Sequence, residues 1–232
     1  MKRIHGLLLT GLGLAAAACG SASSSATTGG QQVPQGSQST TTTASSAQQP
    51  TGTWKLVTYY TVVESFHSGP PQAVVGCSPG ADECNRGTTP LGSFPGDFVS
   101  AVREEGTGRI TNGPYAGKVL TWDAESGYSI DDAPNDASGS PLKPFVSAAT
   151  DESVPMGTAF RVQDCGVGTG GGRVDAAVCS RLTAASWVVA DRTGKPAGSR
   201  ELHLYIGVES RPGFATSDPL VVSTVDARTT LR

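Results

Sequence analysis

The sequence predicts a mainly β protein, a small barrel with one or two short helices. Two observations carry this. Six segments, 53–64, 118–122, 157–163, 186–191, 201–208 and 219–226, are rich in β-branched and aromatic residues, the types that fit a pleated, half-buried surface. Gly and Pro, 30 and 15 of the 232 residues, cluster between them, and short strands broken by turn residues are the pattern of barrels and sandwiches.

Each element has its own reason. In 201–208 the apolar Leu202, Leu204 and Ile206 alternate with Glu201, His203 and Tyr205. A period of two puts His203 on the face opposite the leucines. Phe94, Phe98 and Val102 recur at helical spacing, and Gly106 follows as a stop, so a helix is expected over 95–105. That stripe reads as core packing. A second short helix is expected over 176–182. Trp54, Trp122 and Trp187 read first as core residues and second as exposed aromatic platforms.

The first 52 residues have a different composition. Lys2 and Arg3 precede an apolar run over 7–18, too short to span a bilayer and right for a signal-peptide core. The run closes on Ala16-Ala17-Ala18-Cys19-Gly20, which resembles a bacterial lipoprotein cleavage site. The resemblance implies that 1–18 is removed and that Cys19 becomes a lipidated N-terminus holding the protein to a membrane. Residues 20–52 hold 8 Ser, 7 Thr, 6 Gln and 5 Gly, with no charge and no aromatic. Such a stretch buries too little to offset its ordering entropy, so 19–52 reads as a tether. Its 33 residues after Cys19 reach roughly 30 Å on average. The globular part is then 53–232, long enough for a single core.

Charge narrows the function. Beyond residue 18 there remain 15 Lys and Arg against 20 Asp and Glu, which excludes a basic surface that tracks nucleic-acid phosphates. No P-loop and no H-E-x-x-H is present. The run from Gly168 to Gly172 lacks the Lys of a phosphate cradle and reads as a loop. The acidic stretch from Asp131 to Asp136 lacks the glycine and final glutamate of a calcium loop and reads as a solvated turn. No metal and no cofactor is expected. Cys77, Cys84, Cys165 and Cys179 form an even set, which in an exported chain reads as disulfides. Three pairings are possible; the local one, Cys77–Cys84 with Cys165–Cys179, is expected because each bond closes a Gly-rich loop.

The C-terminal 90 residues carry a family resemblance. They contain A-T-D-E-S-V-P-M-G-T over Ala149–Thr158, then D-R-T-G-K-P-A-G from Asp191 to Gly198, then L-H-L-Y-I-G from Leu202 to Gly207. This resembles the three-aspartate (3D) domain, shared with the membrane-bound lytic transglycosylase A family. Asp151 and Asp191 match the first two aspartates; the third falls on His203. Tyr59-Tyr60-Thr61 is similar to the opening of such domains, and Asp191-Arg192 also resembles a turn of the rare lipoprotein A group. The likeness covers about 145–210 well and 55–65 loosely, with 66–144 as an unmatched, loop-rich insertion.

The resemblance implies a six-stranded double-psi β-barrel with an open groove for a polysaccharide, peptidoglycan above all. It implies substrate contacts from Tyr59, Thr158, Gly198 and Tyr205. Cleaving a glycosidic bond without water needs one group that protonates the leaving oxygen and then takes the C6 hydroxyl proton. In the family the third aspartate is the catalytic acid. Here the reaction is expected to fall to Asp191, oriented or assisted by His203, with Asp151 in support. A carboxylate next to His203 is expected to raise the imidazole pKa. Two other readings stay open: a non-catalytic polysaccharide-binding or structural barrel, and a protein-interaction or inhibitor domain. All place the chain in the bacterial cell envelope, anchored by lipid.

Overall fold

The computed structural model describes residues 52–77 and 86–232. The expected leader, Cys19, tether and Cys84 lie outside the described residues. The chain begins with β1 (Thr53–Val63), β2 (Pro71–Gly76) and β3 (Thr89–Pro95), followed by α1 (Gly96–Glu105). Next come β4 (Thr107–Arg109), β5 (Val119–Asp123), β6 (Gly127–Asp131) and β7 (Ser147–Thr150). Then follow β8 (Ala159–Asp164), β9 (Val167–Gly168), α2 (Ala176–Ala184) and β10 (Trp187–Arg192). The chain finishes with β11 (Glu201–Val208), α3 (Phe214–Ser217) and β12 (Ser223–Leu231).

Six of these strands close a ring in the order β1–β11–β7–β10–β8–β12, and β12 pairs back onto β1. The β1/β11 and β7/β10 pairs are parallel, the others antiparallel. Closure leaves no exposed edge in the ring. Alternation explains the core. Leu56 on β1, Leu202 and Leu204 on β11, Trp187 and Val189 on β10 and Phe160 on β8 all point inward and are buried. Trp187 is fully buried, and its indole N–H donates to the Leu182 carbonyl at 3.1 Å, so the polar atom is satisfied.

The expected mainly β barrel is present. One helix ends on Gly106, whose φ of 86° stops it and whose N–H donates to the Val102 carbonyl at 2.8 Å. The other is capped by Asp175, which accepts the N–H groups of Ala177 and Val178. Cys165 and Cys179 are joined, their Cα atoms 5.8 Å apart. Cys77 is also disulfide-bonded. The last strand runs four residues later than its sequence pattern, at Ser223–Leu231 rather than 219–226.

The segment expected to be loop-rich builds a second sheet instead. β1 runs past the barrel, and Val62 and Val63 pair in parallel with β4. The order continues β4–β5–β6–β2–β3. Phe98, Val99 and Val102 of α1 cover this sheet with Phe94, Leu120 and Ile130. The helix lies so close that a Cβ at Gly108 would meet the Phe98 ring at 2.7 Å, so only glycine fits there. Among the described residues no helix is long and apolar enough to cross a membrane.

Candidate active-site groove

A groove of about 490 Å³ opens between the barrel and the second sheet. Tyr59, Ala149, Asp191 and His203 form its barrel wall. Glu105, Thr107, Trp122 and Asp123 come from the second sheet and its helix, and Asp136 from the loop after β6.

Local irregularity puts Asp191 there. On β10, Trp187 and Val189 point into the core, so strict alternation would send Asp191 inward as well. The register slips between Val189 and Asp191: these residues pair with Ala148 and Ala149, two steps on β10 against one on β7. The bulge turns Asp191 outward. Ala149 pairs with Asp191 on one side and His203 on the other. The two therefore lie in one row across three strands, roughly 10 Å apart at two strand spacings. The small Ala149 keeps the floor between them open.

The Asp191 carboxylate accepts the Arg192 N–H at 2.8 Å and the Ala137 N–H. Burial nevertheless pushes its pKa up to about 6, with Asp136 and Asp123 adding to the rise. His203 departs from expectation. Its Nε2 lies 3.3 Å from Glu201, which is also held by Lys55 at 2.8 Å. Burial lowers the imidazole pKa against the pull of Glu201, and Lys195 and Lys55 lower it further. The expected rise is therefore reversed: desolvation of the ring outweighs its carboxylate neighbour. Tyr59 stacks at a tilt against Tyr205, centroids 5.3 Å apart. Its phenol oxygen is buried with no hydrogen-bond partner among the described residues, and burial, then the Asp191 charge, raises its pKa.

Asp151 lies outside the groove and is almost fully buried. It accepts the N–H groups of Ser153 at 2.8 Å and Gly198 at 3.1 Å, and the Ser199 hydroxyl at 2.6 Å. Burial pushes its pKa up, but these bonds outweigh burial and hold the carboxyl well below the usual range. Arg192 donates to the carbonyls of Asp151 and Val154, both at 2.8 Å. Asp151 and Arg192 thus brace the turns beside Asp191. Thr158 and Gly198 do not line the groove, and the Gly198 N–H serves Asp151. Tyr205 is buried, its hydroxyl 2.8 Å from that of Thr61. Of the expected site residues, Tyr59, Asp191 and His203 reach the groove.

Sequence reasoning missed most of the far wall, with Trp122 marked there only as a second-choice aromatic platform. Trp122 lines the groove, with the Arg103 guanidinium 4.5 Å over its ring. Glu105 has its Oε2 on the Tyr60 N–H at 3.1 Å. Burial raises its pKa to about 7, Glu104 and Glu209 adding to the effect. The available signal was Glu104-Glu105 at a helix C-terminus, where the dipole disfavours negative charge. Among the described residues no cluster of side chains could hold a metal ion.

No family model and no curated protein matches the chain. Solved structures do. E. coli MltA with bound chitohexaose aligns at a TM-score of 0.50 and 14% identity, covering 78% of this chain and 72% of that one. A membrane-bound lytic murein transglycosylase from Agrobacterium tumefaciens aligns at 0.47 and 12%, covering 77% and 73%. The lytic transglycosylase LtgG of Burkholderia pseudomallei aligns at 0.44 and 14%, covering 79% and 74%. At such identities the likeness speaks for fold, and the first alignment carries it: the closed six-stranded ring is a double-psi barrel of the MltA kind.

Proposed function

We propose that the groove holds a peptidoglycan glycan strand and that Asp191 moves the proton in a lytic transglycosylase-like cleavage. One observation carries this reading: a carboxyl group with a pKa near 6 lies on the floor of an open groove. Protonated, Asp191 gives its proton to the leaving glycosidic oxygen as the C1–O bond breaks. The resulting carboxylate takes the proton of the C6 hydroxyl as O6 closes on C1. One group near neutral pKa serves both steps, and no water is consumed. The Arg192 and Ala137 N–H groups fix the carboxylate; Asp151, its pKa depressed, braces the turn at Gly198 and Ser199 that follows Arg192. The MltA-like fold supports the reading.

The N-terminal pattern supports lipid attachment at Cys19, with 19–52 as tether and 53–232 as the working domain in the cell envelope. A second reading is a glycan-binding module on the same barrel. It is favoured by His203, which is neutral and paired with Glu201, so the family's third position holds no acid. Sacculi incubated with wild type and Asp191→Asn separate the two. Anhydro-sugar products from wild type alone support cleavage through Asp191. Co-sedimentation of both chains without products supports binding, and an absence of both products and co-sedimentation sinks both readings.

A further inference from the structure

Glu105 stands where ordinary helix chemistry argues against a carboxylate. It is the last residue of α1, at the negative end of the helix dipole, next to Glu104. It is half-buried, yet among the described residues no cation lies within ion-pair distance of it. Arg103, the nearest cation in sequence, is spread over the Trp122 and Tyr128 rings instead. One oxygen, Oε2, accepts the Tyr60 N–H; Oε1 has no partner among the described residues. Asp191, by contrast, has two backbone donors. One donor, no cation and a helix C-terminus behind it all favour the neutral form of this carboxyl, and a neutral carboxyl is a hydrogen-bond donor. The side chain lines the groove, so its O–H is placed to meet a bound molecule.

We propose that Glu105 recognises an uncharged N-acetylated sugar: its protonated carboxyl donates a hydrogen bond from Oε1 to the acetamido carbonyl of a residue bound in the groove. The proposal rests on the reading of the groove as a glycan site. The acetamido oxygen is the strongest neutral acceptor on such a strand. Ionised, Glu105 would turn lone pairs toward that oxygen, and binding would weaken. The groups facing it are Arg103 and Glu104 on its own helix, Tyr59 and Tyr60 on β1, Glu209 beyond β11, and Asp123, Asp136, Asp191, Lys195 and His203 around the groove. Asp191 titrates in the same range and must be silenced in the test.

The experiment measures chitohexaose affinity by calorimetry at pH 5.5 and 8.5. It uses the full chain carrying Asp191→Asn, alone and with Glu105→Gln or Glu105→Ala. The single variant is expected to bind about fivefold more weakly at pH 8.5, the worth of one neutral hydrogen bond. Glu105→Gln, a donor at every pH, should keep the tighter value at both. Glu105→Ala should be weak at both, with an unchanged circular dichroism spectrum. His203 is present in all three chains, so the Gln chain isolates Glu105. Binding that weakens equally with Gln at 105, or that ignores pH in the single variant, overturns the inference and leaves the groove reading intact. No binding by any chain at either pH removes the groove reading and the inference with it.

Discussion

The barrel and the second sheet each place an acid in the same groove, and they do so by opposite devices. The barrel uses a strand bulge that flips Asp191 out of the core and meets its carboxylate with two backbone N–H groups. The second sheet uses a helix end that leaves Glu105 with one donor and an unfavourable dipole. Both carboxyls lie above the ordinary range, at about 6 and about 7. Burial dominates both shifts, while the count of donors separates them. The lesson is that groove acidity here comes from withholding water more than from pairing charges.

The largest effect expected is on turnover. Asp191→Asn preserves shape and keeps an oxygen to accept the Arg192 N–H but cannot carry the proton, so cleavage of sacculi should fall by about 10²–10⁴. Release of anhydro products per minute measures it. A fall below threefold would remove the barrel wall from the chemistry.

Next come the two cores. Trp187→Ala in the barrel and Phe98→Ala under the second sheet each empty a fully buried site and should cost about 3–5 kcal/mol in denaturant unfolding. Hydrogen exchange sharpens the contrast. β1 belongs to both sheets, so Phe98→Ala should also lower protection in the barrel half of β1. Loss confined to β2–β6 would show that the layers open independently. Opening the Cys165–Cys179 link with Cys179→Ser should cost about 3 kcal/mol, the loop being 14 residues long.

The smallest effect is a pH dependence. Both groove acids have folded pKa values above their ordinary 3.8 and 4.5, so the folded state binds more protons between about pH 4 and 7. Their contribution to stability must fall as pH rises through that window. Asp191→Asn and Glu105→Gln should each stabilise the chain at pH 8 by about 1–2 kcal/mol after allowance for solvent screening, and by far less at pH 4. Asp151 works the other way. Its pKa is depressed, so its contribution is full above the usual carboxylate range and is lost as pH falls below it. Thermal melts at pH 3, 4 and 8 would display both trends.

The barrel was legible because its strands are long and amphipathic. Thr53–Val63 and Glu201–Val208 state their alternation openly, and Trp187–Arg192 opens on an aromatic and two β-branched residues. The second sheet was not: β4 has three residues, and β2 and β3 carry Pro and Gly at positions that usually end strands. They hold because β1 extends beyond the ring and supplies a template, which no local pattern announces. Strand β7 was hidden similarly; Ser147–Thr150 is four small residues whose value lies in the space Ala149 leaves. At the site, Asp191 could be picked from its motif, but its outward direction depends on a bulge that alternation contradicts. The partner of His203 followed from a two-residue offset on its own strand, Glu201, where sequence pointed to Asp191. Glu105 carried only the weak signal of an acidic pair at a helix end, and its place opposite Tyr59, Asp191 and His203 depends on contacts far apart in sequence.

The most direct test is a carboxyl-carbon NMR titration of the Asp and Glu side chains from pH 2 to 9 in wild type, Asp191→Asn and Glu105→Gln. One midpoint near 6 should vanish with Asp191 and one near 7 with Glu105, while Asp151 stays ionised at the acid end. Midpoints all clustered near 4 would contradict the account, because neither wall would then hold an acid able to give up a proton at neutral pH.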